Sequence, residues 1–208
     1  MKPLLNLALV ALGVIALVEA VSLAGLLVIR KGQRLDDEIR WLEGFEPIRV
    51  WDPGRHATIE RRYRDRIERE LRAGRLDKAV VAVRVARGRA RTRGERLDPS
   101  VIELGLETYT RAADRMQRAG RFDLAADWND SLFVFAVRDP ALRVRSAATA
   151  AFIEGLGLRV RDGKPCDALA RVAWAKRGLG GEIPGFDPAL EEDLNLRCTK
   201  AKRGGRTR

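Results

Sequence analysis

Few side chains in this sequence could do chemistry. There is one histidine, His56, in the turn Gly54-Arg55-His56. A Ser-His-Asp or Cys-His centre would have to use it, because such a site needs an imidazole within hydrogen-bond reach of the nucleophile. No nucleophile motif accompanies it. The two cysteines, Cys166 and Cys198, are too few for a zinc module built on several Cys and His ligands. No Gly-x4-Gly-Lys-Ser/Thr loop is present. Gly178-Leu179-Gly180-Gly181 follows a helical pattern instead of a strand, so it reads as a helix C-cap and loop. Carboxylates interleave with arginines at helix-surface spacing, which favours ion pairs over an acid/base dyad. Trp128, Phe133 and Phe135 read as core packing, with a ligand box as the lesser alternative. The expectation is therefore no catalytic residue, no cofactor, no metal and no enzyme. A hydrolytic activity would reveal itself by its loss on replacing one carboxylate or His56.

Charge is the next chemical signal. Lys and Arg number 40 against 29 Asp and Glu, a formal charge of +11. Arg84, Arg87, Arg89, Arg91, Arg93 and Arg96 with Glu95 make one basic segment, read as an interhelical loop; Arg197 to Arg208 makes a second, with no acid. Together they account for the whole excess. Such patches suit anionic lipid headgroups or an acidic protein. Nucleic acid is disfavoured, because no aromatic residue is interleaved and no nucleic-acid motif appears. A solubilising loop and a frayed tail explain the charge equally well.

These groups must be positioned by helices. Leu4 to Ile29 is an apolar run in which only Asn6, Glu19 and Ser22 are clearly polar. At 1.5 Å per residue it makes about 39 Å of helix, enough to cross a hydrocarbon core of about 30 Å. A cleaved signal peptide is the rival reading, with Lys2 as its n-region and Val18-Glu19-Ala20 or Ser22-Leu23-Ala24 as cleavage sites. The run continues through Leu26-Leu27-Val28-Ile29 into Arg30-Lys31, which is the profile of an uncleaved anchor. Glu19 either contacts another membrane protein or sits protonated near an interface. The positive charges Arg30, Lys31, Arg34 and Arg40 after the run put the following domain in the cytoplasm by the positive-inside rule. Residues 32–57 then read as a juxtamembrane linker. It holds a short amphipathic helix over Gln33–Leu42, and turn signals at Gly44 to Pro47 and Trp51 to Gly54 form a hinge. Trp41 and Trp51 suit either the headgroup layer or the first packing layer of the domain.

From residue 58 the apolar period is helical throughout. Ile59, Tyr63, Ile67 and Leu71 form one stripe. Helix partners follow from Leu76, from Pro99, from Phe122, from Pro140 and from Pro165, with a last helix from Pro188 to about Cys198. Asp98-Pro99, Asp139-Pro140 and Asp187-Pro188 each place a capping carboxylate before a first-turn proline. No segment alternates as a strand does, so the fold class is all-α.

The turns inside the pairs match one another. Ala73-Gly74-Arg75-Leu76-Asp77-Lys78-Ala79 aligns with Ala119-Gly120-Arg121-Phe122-Asp123-Leu124-Ala125. Asp162-Gly163-Lys164-Pro165-Cys166-Asp167-Ala168 aligns less closely. A recurrence of this kind signals stacked helical pairs. The pattern resembles tetratricopeptide (TPR) repeats, in which a Gly closes the first helix and an Ala five positions later packs the second. The resemblance covers about residues 58–199 and departs from the family in its longer period. It implies a TPR-like αα-superhelix of about three hairpins plus a capping helix, followed by a basic flexible tail over 200–208. It also implies a scaffold or adaptor for protein partners in a membrane-associated complex. Their groove would be lined by first-helix residues, for which Arg62, Tyr109, Arg111, Arg115, Arg145 and Thr149 are the candidates. The alternative is an anchored domain that binds anionic lipid or nucleic acid through the Arg84–Arg96 segment and the tail. Antiparallel neighbours would bring Cys166 and Cys198 together. They read as a disulfide or as two buried thiols, and a disulfide would place the domain outside the cytoplasm, in the periplasm.

Overall fold

The computed structural model describes residues 2–31, 35–45 and 54–204. Trp51, Pro47 and Arg34 lie outside the described residues, as do the side chains of Lys2, Arg30, Lys31 and His56 and the tail beyond Gly204. Regular structure among the described residues is entirely α-helical: α1 (Lys2–Lys31), α2 (Leu35–Phe45), α3 (Arg55–Arg72), α4 (Leu76–Thr92), α5 (Pro99–Arg118), α6 (Phe122–Ala136), α7 (Leu142–Arg161), α8 (Pro165–Leu179) and α9 (Pro188–Gly204). The chain divides into two compact units, Met1–Val101 and Ile102–Arg208, with the division in the first turn of α5.

In the first unit α2 packs on α1, α3 on α2 and α4 on α3. The expected stripe Ile59, Tyr63, Ile67 and Leu71 is wholly buried, facing Ala79, Val80, Ala82, Val83, Ala86 and Ala90. In the second unit Tyr109 of α5 lies against Trp128 and Phe135 of α6. Phe133 of α6 stacks on Phe152 of α7 with ring centroids 4.4 Å apart. Small residues let α6 and α7 approach closely: a Cβ at Gly155 would stand 3.2 Å from Cβ of Asn129. Leu194 and Cys198 of α9 are buried against α8. The sulfurs of Cys166 and Cys198 lie 2.02 Å apart, at disulfide distance. Such a closure, 32 residues apart in sequence, contributes about 4 kcal/mol on chain-entropy grounds.

The three aligned turns have one geometry. Gly74, Gly120 and Gly163 adopt φ of 68°, 72° and 76°. In each, the glycine N–H donates to the carbonyl three residues back, and the next N–H donates five residues back: Arg75 to Glu70, Arg121 to Met116 and Lys164 to Arg159. This is the Schellman closure, which needs a left-handed residue at its centre. The alanines five positions on, Ala79, Ala125 and Ala168, are fully buried.

Four local expectations change. The Arg84–Arg96 segment is not a loop: α4 continues to Thr92, because Arg and Ala are good helix formers and the stop comes only at Gly94 (φ 67°). Helix α7 starts two residues after Pro140; the Asp139 carboxylate still accepts from the Ala141 N–H at 2.9 Å, but as a turn ahead of the helix. Helix α9 runs past Cys198 to Gly204, with Lys202 and Arg203 in its last turn, where cations meet the negative helix end. Helix α2 runs to Phe45, whose ring lies 4.9 Å from that of Trp41, one turn earlier.

Candidate functional site

The residues from Leu7 to Val28 make 22 residues of apolar helix with little of their surface covered, about 33 Å long. Leu7, Val10, Leu12, Leu17 and Leu27 are all more than half exposed, so among the described residues most of this helix has no protein around it. One patch near its end is covered. Ser22 is fully buried and Leu26 nearly so. The Trp41 indole donates Nε1–H to the Ser22 carbonyl at 3.1 Å. It occupies the space beside Gly25, where a Cβ would stand 2.2 Å from Trp41 Cζ2. Glycine is thus required there by close approach.

The other sides of α2 grip the helical pair. Ile39 and Leu42 are buried. Glu38 pairs with Arg62 at 2.9 Å, and Asp36 with Arg66 at 3.0 Å. Glu43 accepts from the Tyr63 hydroxyl at 2.7 Å and lies 3.6 Å from Arg89 Nε. Burial, together with the Glu43 carboxylate, holds the Tyr63 phenol well above the usual tyrosine range. Residues 35–45 are therefore a two-sided clasp between the apolar helix and the first pair. Sequence reasoning treated them as linker. The signal that could have found the clasp is the Ser22-x-x-Gly25 spacing, two small residues on one face near the end of the apolar helix.

Of the six groove residues, the structure places four in structural roles. Arg62 belongs to the clasp and also pairs with Asp65 at 3.2 Å. Tyr109 and Thr149 are buried; the Thr149 hydroxyl donates to the Pro184 carbonyl at 2.8 Å. Arg145 donates to the Asp139 and Pro140 carbonyls at 2.9 and 2.8 Å, holding the turn before α7. Arg111 and Arg115 are exposed on α5, Arg111 in an ion pair with Glu107. The physical reason is that the hydroxyl and ring positions share the apolar stripe of their helices. In the basic segment Arg84, Arg91, Arg93 and Arg96 are exposed, Arg87 is half-buried and Arg89 is drawn in by Glu43. Glu19 is half-buried on α1. Phe133 and Phe135 are core, and Trp128 is half-buried.

A buried polar cluster between α6, α7 and α8 was not foreseen. Arg159 is buried and donates to Asp130 at 2.7 Å and to Asp127 at 2.8 Å. Arg171 of α8 reaches Asp130 at 3.3 Å and lies over the Trp174 ring, 5.5 Å from its centroid. Burial outweighs both arginines and pushes the Asp130 carboxyl above the usual carboxylate range. Asn129 is buried beside it, and its Nδ2 has no hydrogen-bond partner. The signal was available: Asn129 and Asp130 fall four residues after Ala125 and Ala126, inside the apolar stripe of α6. The cluster ties three helices in register, with both arginines engaged. Among the described residues no three His, Cys, Asp or Glu side chains are placed to hold a metal ion. No known protein family, curated protein or solved structure matches the chain.

Proposed function

We propose that the chain is a single-pass membrane protein whose TPR-like helical pairs are a scaffold for protein partners. The observation that carries this reading is the recurrence of one closure at Gly74, Gly120 and Gly163, in a chain that also presents an uncovered apolar helix of membrane-spanning length. Stacked pairs offer the side chains of their first helices to a partner. An exposed ion pair links Glu103 of α5 to Arg143 of α7. The exposed side of α7 carries the small residues Ser146, Ala147, Ala150 and Gly157 with Glu154 among them, so a partner helix could approach closely around one carboxylate. On α5, Glu103, Glu107, Arg111 and Arg115 form an exposed stripe of mixed charge that suits a polar partner segment. The cysteine pairing favours an oxidising compartment, hence a periplasmic domain, against the positive-inside count.

A photo-crosslinking residue at Arg111 or Ala150, in cells, tests the scaffold reading. The expected result is one shared adduct from both positions and none from Asn195 on α9. Absence of adducts at both positions, or the same adduct from Asn195, overturns it. Thiol trapping of Cys166 and Cys198 in growing cells tests the compartment: labelling only after reduction supports the periplasmic side, and free labelling refutes it.

A further inference from the structure

We infer that the exposed arginines at the C-terminal end of α4 and in the turn after it dock on anionic phospholipid headgroups, held at bilayer level by the clasp. This rests on the reading of α1 as a membrane span.

The depth argument runs through three contacts. Trp41 seats at Ser22 and Gly25. These residues lie three to six positions before Val28, the end of the apolar stretch, or about 5–9 Å along the helix. These are the last turns of the apolar stretch, next to the interfacial layer where tryptophan is favoured. Glu43, two residues further along α2, accepts from Tyr63 and lies 3.6 Å from Arg89. Arg89 is thus one layer of side chains from the helix that is clasped to the end of the span. Arg84 and Arg91 lie on α4 within about 8 Å of Arg89 along its axis, and Arg93 and Arg96 follow in the turn after it. Exposed charges that come within the Debye length of about 8–10 Å at physiological ionic strength feel the leaflet charge.

Composition fits the same partner. The segment from Arg84 to Arg96 holds six arginines and one acid, and the four named arginines are exposed. Guanidinium forks match phosphate oxygens in pairs. Val81 and Val85 are exposed at 52% and 44%, one turn apart and next to Arg84 on the outer face of α4. They give that face an apolar component that headgroups and glycerol backbones tolerate and a nucleic acid does not use. No aromatic side chain lies between residues 84 and 96 to stack on bases.

The test uses the full chain reconstituted in phosphatidylcholine vesicles with traces of spin-labelled phosphatidylglycerol or phosphatidylcholine. The readout is the ratio of their association constants with the protein. The expected wild-type ratio favours phosphatidylglycerol and falls towards one in 1 M salt. The variant Arg84→Gln/Arg91→Gln/Arg93→Gln/Arg96→Gln should lower it at least about 5-fold. Lys200→Gln/Lys202→Gln/Arg203→Gln, which removes charge from α9, is the comparison, and a fall as large as that of the α4 variant overturns the inference. Arg93→Gln/Arg96→Gln, confined to the turn, keeps the test open if the larger variant misfolds, and should lower the ratio about 2-fold or more. An unchanged ratio in a folded, inserted variant overturns the inference. So does loss of binding to a labelled oligonucleotide without a change in lipid ratio. Protein that washes off the vesicles in alkaline carbonate instead refutes the membrane-span reading beneath it.

Discussion

Replacing Arg159 by Met should be among the most damaging single changes in the second unit, and replacing Asp130 by Leu as well should largely repair it. Arg159 is buried and bonds two carboxylates, but they differ in weight. Asp127 is 58% exposed, so its pair with Arg159 contributes at most about 0.5 kcal/mol. Asp130 is buried, and removing its main cation leaves a desolvated carboxylate. Breaking a buried pair from one side costs about 3–5 kcal/mol. Arg171 stays within 3.3 Å of Asp130, which puts Arg159→Met at the low end, about 3 kcal/mol. Asp130→Leu strands Arg159 with only Asp127 and should cost a similar amount. In the double variant both buried charges are gone and apolar volume replaces them, so it should cost less than either single. The coupling energy then exceeds about 3 kcal/mol. Urea unfolding of the full chain in detergent, followed by the fluorescence of its four tryptophans, of which Trp128 and Trp174 report on the second unit, measures the cycle. Additive single effects, or singles below about 1 kcal/mol, would refute the view of this cluster as a coupled buried network.

Gly25→Leu should expel the Trp41 indole and break its bond to Ser22 while leaving α3 and α4 folded; hydrogen exchange should rise in α2 alone, and unchanged protection there would sink the clasp. Acid should weaken the first unit through Glu70 and Asp98. Their carboxyls are held below the usual range by hydrogen bonds from Arg75 and from the Ser100 hydroxyl. A depressed folded pKa contributes stability above the ordinary value of about 4 and loses it as pH falls through the folded value, so Glu70→Gln should flatten the fall in stability between about pH 5 and 3. Asp130 has the opposite sign: its raised pKa means stability that is present below about pH 4 and lost as pH rises, and Asp130→Asn should remove that component of the pH profile. Reducing the Cys166–Cys198 pair should lower the stability of the second unit by about 4 kcal/mol and detach α9 first, seen as proteolysis after Arg197; an unchanged melt would mean the cap is held by packing alone.

Much of this architecture was written locally. The 3.6-residue period of Ile59, Tyr63, Ile67 and Leu71 depends only on which face must leave water. The turns at Gly74, Gly120 and Gly163 follow from the one residue that accepts a left-handed backbone without penalty. The apolar run of α1 announces itself by composition, and the helix ends by Asp, Pro and Gly. A sequence settles such features because they are decided within a few residues. It did not settle which polar side chains face inward. Tyr109 and Thr149, chosen for a groove, are buried because helix α6 and the loop carrying Pro184 cover them. Asp130 is buried because α7 and α8 supply Arg159 and Arg171 from 29 and 41 positions away. Residues 35–45 became a clasp and not a tether because Gly25, Tyr63 and Arg89, distant in sequence, each offer one complementary contact. The desolvation of a charge and the fit of an indole against a glycine depend on partners that only tertiary packing brings together.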